Sequence, residues 1–326
     1  MKNKSPSEIK LYLLEQLLFV RNAELMLAEK YKLQIMKTPT HFGVGQEAVA
    51  VGVCAALNKS DYVYSHHRSH NHYLAKGGNF FALAAELLGR EDGCSNGRGG
   101  SVHLTDFDAG FVASTAILGE TVAAAVGSAL SLSMDKKNNL VASFFGDATL
   151  EEGIFYECLI FASLKNLPVL FVCENNGYAT ESPMGVRQPE GTNFCERVNA
   201  FGVKSKKIDG NDVEKVYEET NNAIQYMNEY KKPFFLECTT YRWLEHVGPN
   251  YDHELNRTYR TVTELDEWKE KCPVKRISEQ LLQEKIITDN ELSKLDHQIK
   301  EKLTSEFERA QESSWPSKDT LFENTY

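Results

Sequence analysis

Two short apolar runs with a helix-length segment between them place the strongest constraint on the fold of this 326-residue chain. Val141–Phe145 and Leu167–Cys173 are rich in β-branched and aromatic side chains, which is typical of buried parallel strands. Thr149–Asn166, between them, carries apolar residues at helical spacing. Because a crossover of this length joins parallel strands in a right-handed sense, the unit predicts an α/β fold with a parallel sheet flanked by helices.

Polar side chains follow both predicted strands. Gly146-Asp147 comes after the first strand and Asn175-Asn176 after the second. Because the carboxyl ends of parallel strands meet at one edge of the sheet, a carboxylate and a carboxamide oxygen are expected to converge there. Oxygen ligands of this kind suit Mg²⁺. Taken singly, Asp147 is also a common N-cap and the asparagines a common turn, but together at this spacing they favour a cation site.

The other elements predict a single domain over residues 1–326, with helical extensions at about 1–40 and 260–326. Helices are predicted over Glu8–Leu33, Gln46–Leu57, Asn79–Leu88, Glu120–Met134, Val213–Tyr230, Val274–Glu284 and Asp289–Ser313. Strands are predicted over Tyr62–Tyr64, Val203–Ile208 and Pro233–Tyr241. Arg242–Tyr259 has no periodicity and is predicted to be a long functional loop.

Composition and charge argue against nucleic-acid-binding, membrane and secreted proteins. A net charge of −10, with no cluster of Lys and Arg on any element, argues against a nucleic-acid partner. The sequence contains no transmembrane run and no secretory signal at its amino terminus. The seven cysteines lack paired C-x-x-C spacing and are expected to be reduced core residues. The sequence therefore predicts a cytoplasmic protein without a membrane or nucleic-acid partner.

The Gly146-Asp147 and Asn175-Asn176 pair resembles the thiamine diphosphate motif, and the similarity continues on both sides of it. Over roughly residues 10–320, the chain resembles the alpha subunit of the first component of 2-oxoacid and acetoin dehydrogenases, such as pyruvate dehydrogenase. The matching segments are His41–Ala48, His67–His70, Gly97–His103, Ile117–Gly119, Thr240–Arg242 and His246. The resemblance implies the thiamine diphosphate-binding fold, with thiamine diphosphate and Mg²⁺ as cofactors.

The resemblance also implies roles for individual residues. The metal ligands would be Asp147, Asn176 and Tyr178. The residues expected to contact the cofactor are His67, Arg68, Leu118, Gly146, Asp147, Ala148, Asn176, Tyr178 and His246. Arg68 offers a fork of donors matched to diphosphate oxygens, and Leu118 is the apolar wedge under the bent cofactor. Two positions depart from the family pattern, because His67 replaces the usual tyrosine and Ala148 the usual glycine.

Histidine is concentrated between positions 66 and 72, where four imidazoles stand within seven residues. Read alone, this cluster also suggests zinc, although no carboxylate lies within it. The resemblance places His70 in the reaction pocket as a catalytic residue, whereas His66 and His72 are expected to face the surface or to support the loop. His246 is the second catalytic candidate, because imidazole transfers protons near neutral pH. A solvent-exposed loop histidine is the alternative.

The implied activity is that of a thiamine-dependent oxidoreductase that decarboxylates a 2-oxo acid or cleaves acetoin and passes the acyl unit to a lipoyl carrier. Thiamine enzymes need a glutamate from a second α/β domain, and one predicted sheet in 326 residues leaves no such domain. The active site is therefore expected between this chain and a beta subunit in an α₂β₂ assembly, with a lipoyl acyltransferase as a further partner. A thiamine-dependent carboligase without a lipoyl partner is the alternative function.

Two glutamates have open roles. Glu47 is predicted to lie at a subunit interface or in a proton link, and a plain helix-surface carboxylate is the alternative. Glu245 adds a negative charge beside His246. The sequence does not identify which oxo compound is the substrate.

Overall fold

Six parallel strands form the central sheet. The computed structural model describes residues 4–36 and 38–323. The strands of the sheet are β1 (Tyr62–Ser65), β2 (Phe111–Ser114), β3 (Val141–Gly146), β4 (Val169–Asn175), β7 (Lys204–Asp209) and β8 (Phe234–Thr239), and a two-stranded hairpin consists of β5 (Tyr178–Ala179) and β6 (Ser182–Pro183). The order across the sheet is β2-β1-β3-β4-β8-β7, and every neighbouring pair is parallel. The predicted strand-helix-strand unit thus forms the centre of the sheet.

Helices cover both faces of this sheet. They are α1 (Pro6–Lys32), α2 (Glu47–Ala56), α3 (His70–Lys76), α4 (Phe80–Leu87), α5 (Glu120–Met134), α6 (Gly153–Lys165), α7 (Met184–Arg187), α8 (Phe194–Asn199), α9 (Val213–Tyr230), α10 (Val262–Glu270), α11 (Pro273–Gln283) and α12 (Asp289–Glu312). Alternate residues of β3 enter different cores: Phe144 packs with α1–α4, α9, α11 and α12, whereas Phe145 packs with α5, α6 and α8. Both faces are therefore buried, as expected of a parallel sheet.

The helical extensions at the two ends of the chain pack together. The side chain of Ser5 caps α1 in a capping box with Glu8, as the sequence predicts. A second capping box, Thr288 with Glu291, begins α12. Because α1 contacts both α11 and α12, the amino-terminal and carboxyl-terminal extensions form one helical layer. None of the described helices is long and apolar enough to cross a membrane.

The helix predicted over Thr149–Asn166 is divided in two. A 3₁₀ helix over Asp147–Glu151 comes first, Glu152 is extended, and α6 begins at Gly153. The 3₁₀ turn contacts β4 and β5, so tertiary packing rather than helical periodicity sets the backbone beside Asp147. Sequence reasoning also missed several elements that are too short to show a period, namely β2, α3, α7, α8 and α10. All seven cysteines are free thiols, and five of them are buried.

Candidate active site

A cavity of about 340 Å³ lies at the carboxyl edge of the sheet. Its wall contains these residues singled out from the sequence: His67, Arg68, Leu118, Gly146, Asp147, Ala148, Asn176, Tyr178 and His246. It also contains residues that were not assigned to the site: His41, Gln46, His66, Ala116, Thr149, Glu174, Ala179, Thr180 and Arg242. The volume lies in the range of small-molecule and cofactor sites.

Asp147 and Asn176 follow β3 and β4 and meet in this wall. Asp147 is 1 % exposed, and burial raises its pKa, while Arg187 and the backbone amides of Asp147 and Asn176 oppose that shift. Asn176 donates through Nδ2 to Oε1 of Gln46 at 3.1 Å, and its Oδ1 accepts from the amide of Tyr178 at 3.1 Å. Gln46 therefore fixes the orientation of the carboxamide, with the carbonyl oxygen turned away from α2.

Arg187 and Glu264 make contacts beside the cavity that the sequence did not predict. Arg187, in α7, forms ion pairs with both Asp147 and Glu151. The hydroxyl of Tyr178 donates to the two carboxylate oxygens of Glu264, in α10, at 2.9 and 2.8 Å. Because the hydroxyl is hydrogen-bonded to Glu264, only the backbone of Tyr178 remains available for the predicted metal contact.

Arg68 connects three segments of the wall. The side chain is buried, and it donates through Nη1 to the carbonyl of Phe42 at 2.5 Å and through Nη2 to the carbonyl of His246 at 3.3 Å. Burial, together with the charge of Arg242, lowers the pKa of Arg68, but a guanidinium stays protonated at neutral pH. The cavity therefore contains a fixed positive charge suited to phosphate oxygens.

Three histidines, His41, His67 and His246, stand together in the wall and are called the open histidine group. Their ring centroids are 4.6 Å (His41 to His67), 4.9 Å (His41 to His246) and 5.5 Å (His67 to His246) apart. Within the described residues, none of their ring nitrogens has a hydrogen-bond partner, and Nδ1 of His41 is buried. Burial lowers the pKa of all three, to about 2 for His41 and about 3 for His246. The three rings are therefore neutral at physiological pH.

The sequence profile of the dehydrogenase E1 component family matches residues 15–318. This chain belongs to that family. It is 32 % identical over 320 residues to the alpha subunit of acetoin:2,6-dichlorophenolindophenol oxidoreductase of Bacillus subtilis (strain 168), covering 97 % of this chain and 93 % of the relative. It is 34 % identical over 317 residues to the pyruvate dehydrogenase E1 component subunit alpha of Porphyra purpurea, covering 94 % and 90 %. The corresponding subunit of Rickettsia prowazekii (strain Madrid E) is 30 % identical over 315 residues, covering 96 % and 94 %.

Membership of the E1 family confirms the predicted enzyme class, a thiamine diphosphate-dependent oxidoreductase, and implies a beta-subunit partner. The wall of the cavity fits this cofactor. A Cβ placed on Gly146 would meet no protein atom within 4 Å, so the glycine leaves space at the end of β3. Ala148 is not among the residues with positive φ, so alanine replaces the usual glycine of the family without backbone strain.

The carboxylate of Glu174, in β4, faces two histidines of the 66–72 segment, His66 and His72. Its carboxylate oxygens lie 3.0 Å from Nε2 of His66 and 3.2 Å from Nε2 of His72. Burial alone would raise the pKa of Glu174, but the imidazoles of His72 and His66 lower it to about 2. His66 and His72 are 6 % and 1 % exposed, so the expectation that they face the surface is wrong. A carboxylate does join the histidine cluster, from 108 residues away in the sequence.

His70 lies behind the wall of the cavity rather than in it. Its Nδ1 is 2.8 Å from Oε1 of Glu24 and its Nε2 is 2.9 Å from Oγ of Ser101, so both ring nitrogens are occupied. All three side chains are at most 1 % exposed. The prediction that His70 is a catalytic residue in the pocket is therefore wrong in its placement, because Glu24 of α1 and Ser101 hold the ring inside the protein. With His66 and His72 it is called the paired histidine group.

Glu47 is fully buried in this E1 chain. Its carboxylate pairs with the guanidinium of Arg21, with Nη2 at 2.8 Å, and Arg21 also lies over the ring of Trp243 at 4.2 Å. Neither a helix-surface position nor direct contact with a partner subunit is compatible with this burial, so both expectations are wrong, and the proton link stays a prediction. Glu245 is 3 % exposed and pairs with Arg257 at 3.0 Å, so its charge is balanced within the loop.

Proposed function

We propose that this chain is the alpha subunit of an α₂β₂ enzyme that uses thiamine diphosphate and Mg²⁺ to decarboxylate a 2-oxo acid or cleave acetoin, and that passes the acyl unit to the lipoyl carrier of an acyltransferase. The names of the relatives, an acetoin oxidoreductase subunit and pyruvate dehydrogenase E1 subunits, support this function and not a carboligase. The observation that carries the proposal is the meeting of Asp147, Asn176 and the buried Arg68 in one cavity.

Different groups of the cavity suit the metal ion and the diphosphate. Asp147 and Asn176 offer oxygen atoms to Mg²⁺, with the backbone of Tyr178 as a third contact. Arg68 can donate two hydrogen bonds to diphosphate oxygens, and the neutral rings of His67 and His246 can each donate one more. These interactions need no rearrangement of the sheet, because β3 and β4 already present both sets in one wall.

Gly146, Ala148 and Leu118 complete the proposed cofactor contacts. Gly146 and Ala148 leave backbone groups accessible at the end of β3, where no side chain intervenes. Leu118 lies between β2 and α5 in the same wall and offers an apolar surface to the rings of the cofactor. The cavity thus combines polar contacts for the charged end of the cofactor with an apolar contact for its rings.

The bound cofactor supplies a carbanion that adds to a carbonyl carbon and accommodates the electron pair left by bond cleavage. This chain contributes orientation and proton transfer. His246 lies in the loop after β8, and neither of its ring nitrogens is paired with a described residue, so it can hold or release a proton at the oxygen of the substrate carbonyl. The hydrogen bond from Arg68 to the carbonyl of His246 fixes the backbone from which the ring projects. His70 acts only through neighbouring groups, as a positioning residue.

The beta subunit is proposed to provide the glutamate of the proton relay. The wall of the cavity contains two carboxylates, and each is already engaged: Asp147 pairs with Arg187, and Glu174 with two histidines. Neither carboxylate is free to protonate the pyrimidine ring of the cofactor. The isolated chain is therefore expected to bind thiamine diphosphate weakly and to show no turnover, and full activity without a beta subunit would contradict the α₂β₂ assignment.

Calorimetric titration of the complex with the beta subunit tests the cofactor site. Asp147→Ala and Asn176→Ala are each expected to abolish Mg²⁺-dependent binding of thiamine diphosphate, because each removes an oxygen from a site with few protein ligands. Asp108→Ala, which removes an exposed carboxylate, is the control and should bind as the wild type does. Unchanged cofactor affinity in both site variants would remove the assignment of the metal site.

The substrate class can be tested with the same complex. Acetoin and a series of 2-oxo acids are offered together with an artificial electron acceptor, first without and then with a lipoyl acyltransferase. The proposal expects acceptor reduction with at least one of these compounds, and acyl transfer to the lipoyl group. Carboligation of the substrates without any acceptor reduction would instead favour a biosynthetic enzyme.

A further inference from the structure

The open histidine group is assembled from three separate segments of the chain. His41 precedes α2, His67 follows β1, and His246 lies in the loop after β8. One nitrogen from each ring lies within 4.8 Å of the other two. Zn–N bonds of about 2.0–2.1 Å place tetrahedral ligands roughly 3.4 Å apart, so the nitrogens need to approach one another by about an ångström.

Among the described residues, no hydrogen bond fixes the orientation of these three rings, which contact one another edge to face. Their nitrogens make no hydrogen bond, and the buried Nδ1 of His41 has no partner. A buried polar atom without a partner costs about 1–3 kcal/mol, so the unpaired Nδ1 of His41 lowers the stability of the fold by about that amount. In contrast, each ring of the paired histidine group contacts a carboxylate. The open group therefore has both the freedom and the unused lone pairs that a ligand requires.

Three imidazoles and an accessible fourth position are a typical arrangement for a borderline metal ion such as Zn²⁺ or Co²⁺. Mg²⁺ does not suit them, because it prefers oxygen ligands. The group is thus chemically distinct from the oxygen site at Asp147 and Asn176. Two positive side chains, Arg68 and Arg242, line the same cavity and weaken the binding of any cation, but the carboxylate of Glu174 partly offsets them.

We propose that His41, His67 and His246 form a site for a divalent transition-metal ion, with Zn²⁺ or Co²⁺ as suitable ions, and that its occupancy excludes thiamine diphosphate. The exclusion follows because a metal ion coordinates the ring nitrogens that face the cavity, and a coordinated nitrogen has no proton to donate to the diphosphate. Only this second part rests on the proposed function; the metal site itself rests on the three rings. The alpha subunit would then be inhibited by such ions before it is loaded with its cofactor.

Titration of the full-length chain with Co²⁺, in buffer without chelators, tests the metal site directly. Nitrogen-coordinated Co²⁺ absorbs visible light, so the spectrum reports ligation without any measurement of activity. One equivalent of Co²⁺ is expected to produce the absorption, and one equivalent of Zn²⁺ to remove it. His67→Tyr keeps an aromatic ring and a hydrogen-bond donor but removes one ligand, and it should raise the dissociation constant at least about 100-fold.

Two matched variants separate this site from other cation sites. Asn176→Ala removes a carbonyl oxygen of the proposed Mg²⁺ site, and His297→Ala removes an exposed histidine of α12; both should bind Co²⁺ as the wild type does. Circular dichroism checks that each variant is folded, and His246→Gln replaces His67→Tyr if the latter is not. No visible absorption in the wild type, or the same affinity in the ligand variant, would overturn the proposal.

The exclusion of the cofactor needs a second measurement, on the complex with the beta subunit at saturating Mg²⁺. Zn²⁺ is expected to raise the apparent dissociation constant of thiamine diphosphate at least tenfold in the wild type and not in His67→Tyr. If the wild type binds Co²⁺ but Zn²⁺ leaves the cofactor affinity unchanged, the exclusion is wrong while the metal site stands. If the complex binds no thiamine diphosphate under any condition, the proposed function fails, and the Co²⁺ spectrum still decides the metal site.

Discussion

Two groups of histidines lie side by side in this protein, and they differ in whether a carboxylate faces their rings. The ring of His66, in the paired group, lies 5.1 Å from that of His67, in the open group. Carboxylates close the paired group: Glu174 faces His66 and His72, and Glu24 faces His70. The open group has no such partner among the described residues.

The difference shows that the residue that faces a histidine in the folded protein determines whether its imidazole is structural or available to a ligand. The position of the histidine in the sequence matters less. His66 and His67 are neighbours in the chain and both line the cavity, yet His66 donates to a buried carboxylate and His67 has no hydrogen-bond partner among the described residues. A ring closed by a carboxylate stabilises the fold, whereas a ring without a partner is available to a ligand. Substitutions in the two groups should therefore affect different properties of the protein.

The largest expected effect belongs to the paired group. Glu174→Ala leaves the buried Nε2 of His66 without its hydrogen-bond acceptor and removes the charge that faces His72, and a buried donor left unpaired costs up to about 3 kcal/mol. We expect the free energy of unfolding to fall by about that amount in denaturant titrations. His67→Ala, in the open group, breaks no hydrogen bond and should change it by less than about 1 kcal/mol. Equal losses in the two variants would remove the distinction between the groups.

Catalysis should show the reverse pattern. His246→Ala is expected to lower turnover of the complex by about 100-fold or more, the lower end of the range for loss of a general acid or base, with little change in unfolding. His253→Ala removes an exposed histidine of the same loop and is the matched control. Steady-state kinetics with the accepted substrate, alongside denaturant unfolding, provide both measurements. Full turnover in His246→Ala would show that this histidine is not catalytic.

The smallest expected effect is a difference in pH dependence. His41 and His246 have a pKa lowered to about 2 and about 3, so they stay neutral in the folded chain, but take up protons near pH 6.5 once unfolded. The unfolded state then binds more protons, and the free energy of unfolding should decrease as the pH falls from about 7 to about 5. Burial also lowers the pKa of His66, in the paired group, which adds to the same slope, whereas the lowered pKa of Glu174 contributes only below about 4.5.

A variant of the open group can show how much one histidine contributes to this change of the free energy of unfolding with pH. His246→Asn removes one titrating ring and should flatten the decrease between about pH 7 and about pH 5, measured by denaturant unfolding at intervals across this window. His253→Asn, in the same loop, should leave the slope unchanged. A slope in His246→Asn equal to that of the wild type would mean that the ring takes up protons equally in the folded and unfolded chain, so that its pKa is not lowered by folding.

The sequence predicted those parts of the site whose residues lie close together along the chain. The strand ends that carry Asp147 and Asn176 belong to one strand-helix-strand unit, so two apolar runs and their spacing were enough to place them together. The resemblance to a known family placed Arg68 and Leu118 in the same wall. These predictions depend on short stretches of chain whose periodicity and spacing can be read directly.

The prediction failed where distant segments meet. Glu24 lies 46 residues from His70 and Glu174 lies 108 from His66, and no local pattern indicates that these carboxylates face the paired group. Arg187 reaches Asp147 across 40 residues and belongs to a helix of only four residues. No periodic pattern marks such a helix, and only the assembled tertiary structure brings the side chain of Arg187 to Asp147.

The ion pair between Arg187 and Asp147 makes cation binding an exchange rather than a simple addition. The guanidinium already neutralises the carboxylate that an incoming Mg²⁺ would use, so the ion must compete with a tethered positive charge. The same guanidinium also pairs with Glu151, so it keeps a partner when a metal ion takes the carboxylate of Asp147. Binding of the ion therefore displaces one of two ion pairs and does not leave Arg187 unpaired.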